Sequence, residues 1–237
     1  MIFLFDVDGT LTESRKKIDE DFSDYLSSFA LMNQCYTVTG SDQVKTVEQI
    51  GETLYNDFSG HFQCSGNQFF CQDQLLYQNS WVVPEDVRRW LELRLEMSGF
   101  DIRTGNHIEE RPGCINFSIV GRNATERERR RYVQYDKDFS ERKVITRHFN
   151  KRFMDEGIVA NIGGETGIDI SQEGRDKSQV LRFFPDSSPI IFFADAAHEG
   201  GNDRPLAQAL EETGQGLTHR VSGPEETWHI LRKKYFF

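Results

Sequence analysis

The sequence predicts an α/β fold, a parallel-sheet core interrupted by an inserted α+β domain, on three observations. A fully apolar run, Ile2-Phe3-Leu4-Phe5, ends abruptly on Asp6, the pattern of a buried strand whose carboxyl end delivers polar residues to a crevice. Strand and helix patterns alternate near the start of the chain and again after Asp176-Lys177. Between those stretches the order of elements suits an antiparallel sheet with helices. The predicted organisation is a core from 1–81 and 175–237, with the insert at 82–174.

After the first strand, Ile18, Phe22, Tyr25, Leu26 and Phe29 recur at helical spacing up to Leu31. Cys35 to Thr39 reads as a second strand, and Val44 to Leu54 as a helix opened by Ser41 or Asp42 as cap. In the insert, Pro84-Glu85-Asp86 starts a helix through Glu96 with Val87, Trp90, Leu91 and Leu95 on one face. Ile115 to Val120 alternates as a half-exposed strand, and helices are expected over Ala124 to Tyr135 and Asp138 to Glu156. Strands Ile158 to Ile162 and Gly167 to Ile170 follow, joined by a turn at Gly163-Gly164. The core resumes with a helix through Phe183, a strand Pro189 to Ala194 and a helix Arg204 to Glu212.

Composition narrows the function. The chain has 237 residues with 12% aromatics, including 19 Phe, which is ample material for a packed core and excludes disorder. No window approaches the roughly 18 apolar residues of a membrane span, and the opening apolar run meets Asp6 too soon for a signal peptide, so the expected location is cytoplasmic. A net charge of −10 argues against nucleic acid or a membrane surface as partner of the whole molecule. That average hides a contrast: Arg111 to Arg152 carries 12 basic and 5 acidic residues, a segment of +7 against −17 for the rest. A local site for a small phosphorylated ligand explains it.

The chemistry is concentrated in Asp6-Val7-Asp8-Gly9-Thr10-Leu11-Thr12. Two carboxylates two residues apart at a strand end can share a divalent cation, one by its side chain and the other by its backbone carbonyl. One can attack phosphorus while the other handles a proton. Gly9 permits the tight exit turn, and Thr10 offers a donor to phosphate.

This motif after an N-terminal apolar strand resembles the signature of the haloacid dehalogenase (HAD) superfamily, with its Rossmann-like core. The resemblance implies phosphoryl transfer through an aspartyl phosphate with Mg2+. The rest of that superfamily's set follows in order: Thr39 after the second strand to hold the phosphoryl group, Lys177 at a helix start to neutralise its charge, and Asp195 with Asp203 of Gly200-Gly201-Asn202-Asp203 to complete the metal site with Asp6 and Asp8. The insert narrows the likeness. Glu109-Glu110-Arg111-Pro112-Gly113, Asn116, Gly121-Arg122 and Thr125-Glu126-Arg127-Glu128-Arg129 are similar to the cap strand and helix start of the eukaryotic-type phosphomannomutases. Gly40-Ser41-Asp42, Glu48-Gln49-Ile50-Gly51, Gly163-Gly164 and Ser222-Gly223-Pro224 agree as well.

By position, the resemblance makes Asp6 the nucleophile and Asp8 the general acid/base. It makes Arg15, Arg111, Arg122 and Arg129 the binders of sugar phosphates, and places Gly167 and Asp169 at the sugar, Asp169 on its hydroxyls. Guanidinium forks suit that work, and a mutase needs the second phosphate site they supply. The implied function is a phosphomannomutase interconverting mannose 6-phosphate and mannose 1-phosphate, primed by a hexose 1,6-bisphosphate, and acting as a homodimer through the cap. The chain departs from the family at Cys64-Ser65-Gly66-Asn67, where the family has Glu-Asn-Gly, at Ala194 to Ala197, at Gly167 in place of a serine, and at Thr39. A sugar phosphatase of the same superfamily is the alternative. A non-catalytic module gripping an anionic partner through the +7 segment has no need of the Asp6, Asp8, Thr39, Lys177 and Asp195 set.

Overall fold

The computed structural model describes residues 1–235. The chain packs as two compact units, one of residues 1–78 with 174–237 and one of residues 79–173.

The first unit is built on a seven-stranded sheet. Its strands are β1 (Ile2–Phe5), β2 (Gln34–Val38), β3 (Gly60–Gln63), β4 (Gln68–Cys71), β5 (Gln74–Gln78), β10 (Ile190–Ala194) and β11 (Gly216–Arg220), in the spatial order β11-β10-β1-β2-β3-β4-β5. The first five in that order run parallel, and β4 and β5 extend the sheet as an antiparallel meander. β1 is apolar throughout because both its faces are covered. Phe3 and Phe5 pack with Phe22 and Leu26 of α1 (Glu20–Ala30) and Leu231 of α8 (Pro224–Lys234), while Ile2 and Leu4 pack on the other side with Leu206 and Leu210 of α7 (Arg204–Thr213). Each buried large side chain of this kind is worth about 1.5–3 kcal/mol.

The second unit is a four-stranded antiparallel sheet in the order β6-β7-β9-β8, from Ile108–Arg111, Cys114–Phe117, Gly167–Gln172 and Ile158–Gly163 respectively. Ile115, Phe117, Ile168, Ile170 and Ala160 make one face apolar. Against them pack Val87 and Leu91 of α4 (Glu85–Met97), Tyr132 of α5 (Glu126–Phe139), and Ile145 and Phe149 of α6 (Glu141–Phe153). Among the described residues no helix is long and apolar enough to cross a membrane.

Several elements differ from their sequence expectation. The helix expected over Val44 to Leu54 is two, α2 (Gln43–Ile50) and α3 (Glu52–Asp57), broken at Gly51, whose φ of 81° lies outside any helix. The boundary between the insert helices lies at Ser140, left-handed at φ 53°, rather than near Tyr135. Lys177–Phe183 winds as a 3-10 helix, with Asp176 capping Ser178. β7 ends at Phe117, one residue before Ser118 N–H makes a last in-register bond to the His107 carbonyl, and the rest of the expected strand lies outside the sheet.

Candidate active site

Three neighbouring parallel strands end at one edge of the core sheet, and each hands over a polar residue there: Asp6 after β1, Thr39 after β2 and Asp195 after β10. β2 and β10 flank β1 in register, Phe5 lying opposite both Thr37 and Phe193. The chain winds away from β1 toward β2 and β3 on one side and toward β10 and β11 on the other. This is the switch point at which open α/β sheets bind ligands.

Lys177, at the start of the 3-10 helix, is buried to 1% and places its Nζ 2.5 Å from Asp6 Oδ1 and 2.5 Å from Asp203 Oδ1. Asp203 stands at the N-terminal boundary of α7 without a side-chain bond into the helix, and its other oxygen accepts the Ala196 N–H at 3.2 Å. Carboxylate oxygens of Asp6, Asp195 and Asp203 lie within 4.8 Å of one another. Gly9 makes this approach possible: at φ 83°, a Cβ there would lie 2.5 Å from Asp195 Oδ2. Thr10, expected to donate to phosphate, is fully buried instead, and its Oγ1 accepts the Asp195 N–H at 3.1 Å, tying the first motif to the last.

Burial pushes the Asp6 carboxyl up to about 8, with Asp203 and Asp195 adding to the push and Lys177 pulling the other way. Asp195 is raised as well, by burial first and then by Asp203. Burial pulls the Lys177 ammonium down, but Asp203 and Asp6 outweigh it and hold it charged. Three carboxylates against one ammonium leave a formal excess of two negative charges in a partly dry site. Hard oxygen donors with that excess fit a divalent cation of the Mg2+ kind, so the residues present suit such an ion.

Asp8 turns its carboxylate away from this cluster. Its Oδ1 accepts the Arg15 backbone N–H at 2.7 Å and Gln49 Nε2 at 3.0 Å, and its Oδ2 lies 3.4 Å from Lys45 Nζ. Burial tends to raise its pKa, but the Arg15 N–H, Lys45 and Gln49 together hold it below the usual carboxylate range. Of the two contributions expected of Asp8 to a metal, its carboxylate thus lies elsewhere, and its backbone carbonyl is the one left to it. Ser41 joins the group, accepting Lys45 Nζ at 3.1 Å while its N–H donates to Thr39 Oγ1 at 3.1 Å. Arg15 takes a left-handed backbone at φ 62° and exposes its side chain, so its contact with Asp8 is through the main chain.

On the insert sheet Arg111, Gly167 and Asp169 lie on the face opposite the apolar one. Glu109, Asn116, Asp169 and Asn161 form one register row across all four strands. Glu109 Oε2 gathers two arginines, Arg111 at 2.9 Å through Nε and 2.5 Å through Nη2, and Arg122 at 3.1 Å. Asn116 Nδ2 donates to Asp169 Oδ1 at 2.6 Å. Arg129, near the start of α5, lies 3.6 Å from Glu165. Arg142 braces the neighbouring turn, bonded to Asp136 and to the carbonyls of Gly164 and Gly167.

Residues 22–237 match the family model described as eukaryotic phosphomannomutase. The chain belongs to that family. Its phosphomannomutase relatives include one from Solanum lycopersicum, 31% identical with 96% of this chain and 91% of the relative covered, and one from Arabidopsis thaliana, 31% identical with 96% and 93% covered. Phosphomannomutase 1 of Dictyostelium discoideum is 31% identical over 99% and 96%. Solved structures give the fold. A HAD-like hydrolase from Bacteroides thetaiotaomicron aligns at TM-score 0.62 and 13% identity, over 97% of this chain and 98% of that one. A Plasmodium falciparum IMP-nucleotidase aligns at 0.65 and 16%, over 98% and 67%.

Within the phosphomannomutase pattern, the site includes residues to which sequence reasoning gave no role: Lys45, Gln49, Glu109 and Asn116. Lys45 and Gln49 stand one turn apart on a helix capped by Asp42, a spacing that marks a common face. Glu109 and Asn116 lie in strands too short for alternation to separate a polar working face from a solvated one. Where the family carries Glu-Asn-Gly, Cys64, Ser65 and Gly66 all have positive φ, at 50°, 58° and 86°.

Proposed function

We propose that this chain is a magnesium-dependent phosphomannomutase, interconverting mannose 6-phosphate and mannose 1-phosphate through a phosphorylated Asp6. The observation that supports it most is the buried Asp6–Lys177–Asp203 cluster beside Asp195, in a chain of the phosphomannomutase family. An Asp6 oxygen attacks a phosphate of a hexose 1,6-bisphosphate, the P–O bond to the sugar breaks, and a hexose monophosphate is released. The C1 hydroxyl of mannose 6-phosphate then attacks the phosphoryl group on Asp6, regenerating the carboxylate and giving a hexose 1,6-bisphosphate; with that bisphosphate turned end for end, Asp6 takes its C6 phosphate and mannose 1-phosphate leaves. Asp8, held ionised by Arg15 N–H, Lys45 and Gln49, takes the proton of that hydroxyl and returns it to the leaving oxygen in the reverse step.

Lys177 stays charged next to Asp6 and balances the phosphoryl group, while Thr39 at the end of β2 holds it. Asp6, Asp195, Asp203 and the Asp8 carbonyl would hold Mg2+, which when bound neutralises charge on the transferring oxygens. Arg111, Arg122 and Arg129 grip the phosphate that does not react, Arg15 assists at the sugar phosphate, and Asp169, next to Gly167, takes ring hydroxyls. A homodimer and a cytoplasmic location belong to the same reading. Leu93, Met97 and Phe139, all exposed on the insert helices, support the dimer. Replacing Asp6→Asn with Mg2+ present is expected to lower turnover by about three orders of magnitude or more. Turnover unchanged from wild type would refute the scheme.

A further inference from the structure

We propose that Asn116 is a positioning residue for Asp169, and that the opposed glycines Gly163 and Gly167 are what let it act on the sugar's hydroxyls. Asn116 and Asp169 are direct partners in the β7–β9 ladder, and their side chains lie across the polar face joined by the 2.6 Å bond. Gly163 and Gly167 face each other in the β8–β9 ladder. A Cβ on Gly167 would lie 2.5 Å from Asn116 Nδ2, and one on Gly163 would lie 2.1 Å from Asp169 Oδ2. The two side chains therefore occupy a notch that only glycines leave open. At residue 167 the family's serine would need the space that the Asn116 amide fills.

Asn116 is only 5% exposed, and its Oδ1 is buried with no hydrogen-bond partner among the described residues. A buried carbonyl left unsatisfied is a cost to folding, so stability does not account for an amide at this point, whereas aiming a carboxylate does. Asp169 remains half-buried with acceptor capacity beyond the bond from Asn116. A carboxylate locked flat against the sheet can receive two neighbouring ring hydroxyls in one relative configuration, which separates one hexose phosphate from its epimer.

The inference rests on the sugar-binding role proposed for Asp169, and binding tests it independently of turnover. Calorimetric titration of mannose 1-phosphate and glucose 1-phosphate into the wild-type chain, Asn116→Ala, Asp169→Ala, the Asn116→Ala/Asp169→Ala double variant, and Gly167→Ser alone and combined with Asn116→Ala supplies the cycles. Asn116→Ala is expected to weaken mannose 1-phosphate about tenfold and to narrow the ratio between the two sugars, with no further loss once Asp169 is alanine. Gly167→Ser should weaken binding by itself and cost nothing more in the Asn116→Ala background. The proposal is overturned if wild type does not bind, if Asn116→Ala binds as wild type, if it lowers only the fraction of active sites, or if its effect multiplies that of Asp169→Ala. A wild type that binds but does not interconvert the sugars would instead overturn the mutase reading, with the binding cycle still deciding the role of Asn116.

Discussion

Lys177 shows what a single position in this chain is asked to do. An ammonium with 1% exposure is held by two carboxylates, an arrangement that rarely adds stability over apolar packing of the same volume. In the proposed scheme it keeps a positive charge fixed where a phosphoryl group arrives, which gives the buried ammonium a use that packing does not. His61 is the contrasting case. Its Nε2–H donates to the Tyr55 carbonyl at 2.7 Å, its Nδ1 lies 2.9 Å from Thr37 Oγ1, and its ring stacks on Tyr55 at 3.6 Å. Burial pushes its pKa down from 6.5 to about 4, against the opposite pull of the Tyr55 carbonyl. Between those values the unfolded chain binds a proton that the native chain refuses, so His61 makes stability fall as pH falls through that window, by about 3 kcal/mol in all. Urea unfolding of wild type and His61→Gln between pH 6.5 and 4 checks this. The variant should lose less stability over the window, and equal losses would contradict the assignment.

At the scale of elements, α5 depends on its ends. It buries only Tyr132, while its start is fixed by a capping box in which Thr125 and Glu128 satisfy each other's backbone N–H groups. Thr125→Ala is expected to cost about 1 kcal/mol, read as a lower midpoint in denaturant at unchanged slope. Elements whose side chains follow one clear period were legible from sequence, β1, β10 and α1 among them. β3 was not, because its Gly-His-Phe-Gln run places His61 and Gln63 in full burial, where Thr37 bonds the His61 ring and Thr46 donates to Gln63 Oε1 from other elements. The break at Gly51 hid inside a helical pattern that continues on both sides of it.

In the molecule as a whole, the charge contrast of the sequence locates function only after its pairs are counted out. Inside the +7 segment Arg130 pairs with Glu126 and Arg142 with Asp136, and Arg152 pairs with Glu156 just beyond it, whereas Arg111 and Arg122 share the single carboxylate of Glu109. The core cluster was legible because its residues arrive in a fixed chain order with recognisable neighbours. The orientation of Asp8 and the Asn116–Asp169 pair were not, since the first draws on Lys45 and Gln49, 37 and 41 positions away, and the second joins residues 53 positions apart. What sets a mutase apart from a phosphatase is transfer of phosphate between two positions of one sugar rather than to water. Incubating the wild-type chain and Mg2+ with mannose 6-phosphate, with and without a catalytic amount of hexose 1,6-bisphosphate, while following mannose 1-phosphate and inorganic phosphate, tests it most directly. Mannose 1-phosphate formed in a bisphosphate-dependent manner, with little inorganic phosphate, is the predicted result; release of inorganic phosphate without isomerisation would contradict it.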